Sequence, residues 1–173
     1  MTERNIQLSL NYYAQKISHK LIIPNIYVYQ WESDMVSMAP SGFITEYEIK
    51  TSRADYRADF KKKKHSVLSG GGDQPSIGGM VAPARVGVIR RSLVIPNYFY
   101  YCVPAGLLDL PEIPEYAGFI EIDGSGDVIV TRPAPRLTSG KINEKIFKVL
   151  AVRLAYRCME QVETIHKLND GRY

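Results

Sequence analysis

No stretch of the chain approaches the roughly 18 consecutive apolar residues that a membrane-spanning helix needs, so no such span is expected. The first ten residues, MTERNIQLSL, lack a basic patch followed by an apolar run, and a cytoplasmic protein is the expectation. There are only two cysteines, Cys102 and Cys158, far apart and without the paired spacing of a zinc site or redox motif; they read as buried thiols. Histidine is equally scarce. His19, His65 and His166 are scattered, which leaves a histidine metal cluster or a His-based general base without a spacing argument. No Ser-His-Asp order is convincing. Gly70-Gly71-Gly72 is not followed by Lys-Ser or Lys-Thr, which excludes a P-loop and with it an ATPase reading.

What is present describes one globular domain. The 173 residues are 45% hydrophobic and 23% charged, enough for a real core and too few for two comfortable domains. The formal net charge of +4 is compatible with a polyanionic partner without requiring one.

Ile6, Leu10, Tyr13, Ile17 and Leu21 recur at helical spacing, predicting an amphipathic helix from Asn5 to about Leu21 that Pro24 and Asn25 close. Strands are expected at Ile26 to Trp31, Asp34 to Met38 and Phe43 to Lys50, as an antiparallel meander. Thr51 or Ser52 can cap a following helix to about Lys64. Ser66 to about Pro83 is glycine-rich and reads as a mobile loop. Val86 to Ile95 and the aromatic Tyr98 to Val103 are further strands, the second of them central. Gly118 to Ile122 and Val128 to Thr131 suggest a hairpin, and Lys141 to about Leu168 a long helix with Ile146, Leu150, Leu154, Cys158 and Val162 on one face. The expected fold class is α/β, a sheet with flanking helices.

The chemistry points to Ile44 to Lys50. Side chains alternate faces along a strand, so Glu46, Glu48 and Lys50 share one. An E-x-K triplet on an edge strand is ordinarily a solvated face. Asp34, however, begins the preceding strand, where an antiparallel pairing can bring its carboxylate beside Glu48. Two converging carboxylates suit magnesium, which is usually held by one or two of them plus substrate phosphate.

This arrangement resembles the PD-(D/E)xK nuclease superfamily, with Asp34, Glu48 and Lys50 at the signature positions and Ser33 where the superfamily's name has proline. The runs EIKTSRADYRADFKKKKH, YFYYCVPAGLL, PEYAGFIEID and TRPAPRL are similar to a group of phage and bacterial proteins classed as nucleases, and more distantly to MmcB-type DNA repair proteins. The resemblance implies a restriction-endonuclease-like αβββαβ core, with the hairpin and the long C-terminal helix added to it. It also implies a Mg²⁺-dependent phosphodiesterase acting on DNA, with RNA not excluded and Mn²⁺ able to substitute. In that reading Asp34, Glu48 and the Ile49 carbonyl hold the metal, Lys50 orients water or neutralises charge, and Gln15 and Glu46 are auxiliary. Superfamily members commonly dimerise to cut both strands, so a homodimer is a further expectation.

Ser52, Arg53, Arg57, Lys61, Lys62, Lys63 and Lys64 form a basic segment after the triad. Such a run is usually solvated surface; beside a metal site it can track a phosphate backbone. Three functions therefore stand: a nuclease, a DNA-binding or interaction module on the same fold that does not cut, and a structural protein assembling through the C-terminal helix. The last requires apolar exposure on that helix. For Tyr98, Phe99, Tyr100 and Tyr101, core packing outweighs base stacking.

Overall fold

The structure, a computed structural model, describes residues 1–70, 95–142 and 144–170. Helix α1 spans Glu3–Lys16; Thr2 caps it by accepting the Asn5 N–H, and Ile6, Leu10 and Ala14 form its buried stripe. It stops five residues before the expected Leu21. Ser18 adopts φ +64°, which reverses the chain, and Leu21 opens strand β1 (Leu21–Tyr27) instead. Pro24 therefore lies inside a strand and closes no helix. It is tolerated because β1 is an edge strand, where a missing N–H costs no ladder bond.

Strands β2 (Glu32–Met38) and β3 (Ile44–Ile49) complete an antiparallel meander with β1. Strand β4 (Tyr98–Pro104) then pairs parallel to β3, β5 (Gly118–Ile122) parallel to β4, and β6 (Val128–Arg132) antiparallel to β5. The result is a mixed six-stranded sheet in the order β1-β2-β3-β4-β5-β6, with β4 inside it as expected. The strand expected at Val86 to Ile95, apart from its last residue, and the glycine-rich stretch beyond Gly70 lie outside the described residues.

The sheet is covered on both faces. Helix α1 packs on Met35, Tyr47, Ile49, Cys102, Ile120 and Ile122. On the other face, Tyr56 of α2 (Arg53–Asp59) and Leu68 of α3 (Lys64–Leu68) close over Phe99, Tyr101, Val103 and Phe119. Leu150 of α4 (Glu144–Asp170) covers the β1–β2 corner. Gly118 is required where it stands, since a Cβ there would lie 2.3 Å from the Tyr100 ring.

The aromatic strand divides as pleating dictates. Phe99 and Tyr101 are fully buried, whereas Tyr98 and Tyr100 face the α1 side and line a cavity of about 310 Å³ with Tyr13, Tyr47 and His19. At the start of β4, buried Asn97 accepts the Ile44 N–H at 2.8 Å and donates to the Thr138 and Gly140 carbonyls at 2.8 and 2.6 Å. Its backbone exchanges further bonds with Ile44 and Leu137.

Helix α4 docks by its first half. Arg153 donates to the Tyr27 carbonyl at 2.6 Å and Arg157 to the carbonyls of Pro24 and Asn25. Beyond that, Met159, Val162, Ile165 and Leu168 are all exposed, and so is Cys158, which the sequence suggested was buried. No helix among the described residues is long and apolar enough to cross a membrane.

Candidate active site

All six residues of β3 are buried, so its charged side chains cannot be a solvated face. Tyr47 and Ile49 enter the α1 core; Glu46, Glu48 and Lys50 point to the opposite side of the sheet. The pairing of Met35 with Tyr47 and Val36 with Glu46, continued by one residue, sets Asp34 opposite Glu48. Asp34 Oδ2 accepts the Ile49 N–H at 2.7 Å, which fixes that carboxylate at the end of β3. The three signature residues thus meet at one strand end.

Around them lies a dense charge cluster. Lys50 Nζ is 2.9 Å from Glu48 Oε1 and 3.2 Å from Asp59 Oδ1. Lys62 Nζ reaches the same two acids at 3.3 and 2.6 Å, and Lys64 Nζ sits 2.5 Å from Glu48 Oε2. Asp59 also takes His65 Nε2 at 2.8 Å and the Tyr101 hydroxyl at 3.1 Å. On the far side, Trp31 Nε1 donates to Glu46 Oε1 at 2.8 Å.

This crowding perturbs the acids in different directions. Burial and the neighbouring Glu48 charge push Asp34 up to about 6, against the pull of the Ile49 N–H and of Lys50. Complete burial pushes Glu46 up to about 8. Asp59 goes the other way: burial opposes its charge, but the His65 bond and the lysines hold it far below the usual carboxylate range. Burial also opposes the Lys50 charge, yet Glu48 and Asp59 keep that ammonium above the ordinary lysine range.

Several expected site residues stand elsewhere. Gln15 is exposed near the far end of α1; the glutamine that meets the site is Gln7, whose Nε2 donates to the Asp34 carbonyl at 3.1 Å and to Asn25 Oδ1 at 2.9 Å. The basic helix is not continuous to Lys64, because α2 ends at Asp59 and a turn precedes α3. That turn carries Lys64 inward, where its side chain is 1% exposed, while Arg57, Lys61 and Lys63 remain on the surface. Ser52 caps α2 through the Asp55 N–H, and Arg53 grips Glu112 at 2.8 and 2.9 Å, so both hold the fold locally. Asp59, His65 and Trp31 were not among the expected residues. Only Asp59 had a signal, as the second acid of the SRADYRADF run.

Among the described residues, no three His, Cys, Asp or Glu side chains form a metal-holding group. The donor chemistry of Asp34 and Glu48 nevertheless fits a hard cation. The Glu48 charge raises the proton affinity of Asp34, a strain that a divalent ion relieves, and Mg²⁺ needs only one or two carboxylates. Lys62 and Lys64 are its rivals for Glu48.

No family model and no curated protein matches the chain. Among solved structures, it is similar to the SPO1766 protein of unknown function from Silicibacter pomeroyi, with a TM-score of 0.52 and 17% identity over 86% of this chain and 80% of that one. At that identity the likeness concerns the fold alone: a mixed α/β architecture with a six-stranded sheet and a C-terminal helix.

Proposed function

We propose that the chain is a Mg²⁺-dependent nuclease that hydrolyses phosphodiester bonds of DNA, on a restriction-endonuclease-like core. The observation that carries this reading is the meeting of Asp34, Glu48 and Lys50 at the end of β3. The order α1, β1, β2, β3, α2 and, after α3, β4 supports it. Asp34, Glu48 and the Ile49 carbonyl hold the ion, with Mn²⁺ as a substitute. When bound, the ion supplies Lewis-acid activation of the scissile phosphate and a water of lowered pKa. Lys50, kept protonated by Glu48 and Asp59, stabilises charge on the phosphate oxygens rather than accepting a proton. Exposed Arg57, Lys61 and Lys63 extend the positive surface for the backbone. The setting that suits such an enzyme is phage-related replication, recombination or repair in the cytoplasm, with paired copies cutting both strands.

A second reading is a DNA-binding module that does not cut. One observation favours it: both Glu48 oxygens already face lysine ammonium groups.

The deciding assay incubates labelled single-stranded, double-stranded and branched DNA with Mg²⁺, Mn²⁺ or EDTA, comparing wild type with Glu48→Gln and Lys50→Met. Metal-dependent cutting absent from both variants is the expected result. Salt-dependent retention of DNA without cutting in any metal hands the site to the second reading.

A further inference from the structure

Asp59 is wholly buried, yet it meets the same three lysines as Glu48 and takes a further contact from His65. Lys50, Lys62 and Lys64 each bridge the same two acids, Glu48 and Asp59, at 2.5–3.7 Å. A buried ammonium cannot be left without a counter-charge, since losing one partner of such a pair costs several kcal/mol. If Glu48 were the sole acid here, a cation approaching it would strand the two buried ammonium groups, those of Lys50 and Lys64. Asp59 removes that obstacle. It offers each lysine a second anchor, and His65 and Tyr101 fix its own carboxylate from behind at 2.8 and 3.1 Å.

We propose that Asp59 is a positioning residue that holds the ammonium groups of Lys50, Lys62 and Lys64 so that Glu48 can give up its ion pairs to a divalent cation. The part concerning the cation rests on the nuclease reading; the part concerning the lysines does not. Asp59 touches neither substrate nor metal in this scheme. It acts through Lys50, as an outer partner that orients the groups around a metal ligand. Its place at the last residue of α2 suits the role, because the helix is anchored at its other end by Ser52 and Arg53.

The test has two arms. In the first, ¹⁵N NMR of lysine ammonium groups is recorded on the metal-free protein. Wild type should show slowly exchanging signals for Lys50 and Lys64; in Asp59→Asn, where Glu48 is left to hold both, they should exchange faster, and Asp59→Glu should restore them. Wild-type exchange of both signals in Asp59→Asn overturns the proposal. In the second, calorimetry measures Mg²⁺ binding to folded protein. Asp59→Asn should bind about 10- to 100-fold more weakly than wild type, whereas unchanged affinity overturns the proposal. Should Asp59→Asn not fold, Lys62→Met substitutes for it. Lys62 is more than half exposed and competes for Glu48, so its removal should strengthen Mg²⁺ binding several-fold, and no change overturns the proposal. Wild type that binds no Mg²⁺ but shows the Asp59-dependent lysine signals rejects the nuclease reading and the cation role together, leaving the lysine anchor standing.

Discussion

Trp31, the only tryptophan in the chain, donates its indole N–H to Glu46 at 2.8 Å, and that carboxylate is fully buried. Burial pushes Glu46 up to about 8, so its ionisation falls within an easily measured range. Tryptophan emission should therefore titrate with a midpoint near pH 8. Glu46→Gln should abolish the transition while keeping the indole bonded to a carbonyl oxygen. A pH-independent emission in wild type between pH 6 and about 9 would show that Glu46 stays in one state.

Asp34 yields a second pH effect of definite sign. Its ordinary value of 3.8 is raised to about 6, so between these limits the folded protein keeps a proton that the unfolded chain has released. This contribution to stability is full below the lower limit and is lost as pH rises through the upper one. Asp34→Asn should flatten that decline and, without metal, exceed wild type at neutral pH by roughly 2–3 kcal/mol at most. Urea denaturation at several pH values measures it. Added Mg²⁺ should reverse the order, because only wild type retains the acid pair.

Gln7 ties α1 to the site, donating to both the Asp34 carbonyl and Asn25 Oδ1. Gln7→Ala should cost roughly 1–3 kcal/mol, since a buried side chain loses two hydrogen bonds at about 0.5–1.5 kcal/mol each. Gln15→Ala should be silent because that side chain is exposed. Equal melting temperatures for the two variants would count against the assignment.

The outer half of α4 should be dispensable for folding. Every residue from Cys158 to Leu168 is exposed, so a chain ending at Arg157 should lose less than about 0.5 kcal/mol, or roughly 2 °C in melting temperature. A larger loss would mean that this segment is covered in solution. Its exposed Met159, Val162, Ile165 and Leu168 are the apolar surface that assembly through this helix requires.

Much of the sheet was legible because strands advertise themselves by alternation. Glu48 and Lys50 share a face for no reason beyond pleating, and the aromatic run of β4 reads as a strand whatever surrounds it. The end of α1 was not legible. Apolar periodicity continued past Lys16 to Ile17 and Leu21, and nothing local announced that Ser18 would take a positive φ. The choice between Gln7 and Gln15 was equally closed. They lie about 12 Å apart along the helix, and only the docking of α1 on β2 decides which one meets Asp34. Lys64 is the sharpest case, being the last of four consecutive lysines of which the other three are exposed. Its burial depends on a break after Asp59 that no proline or glycine marks.

Asn97 carries a further meaning in time. Its amide joins segments 53, 41 and 43 residues away, tying the first residue of β3 to the chain that leads into α4. Bonds across such separations require the intervening chain to be gathered in first, and we expect the Asn97 side-chain bonds to form late in assembly. Interactions absent from the transition state govern how fast a protein comes apart and leave untouched how fast it forms. Asn97→Ala is therefore expected to shorten the lifetime of the assembled sheet, read as a faster unfolding rate at an unchanged folding rate.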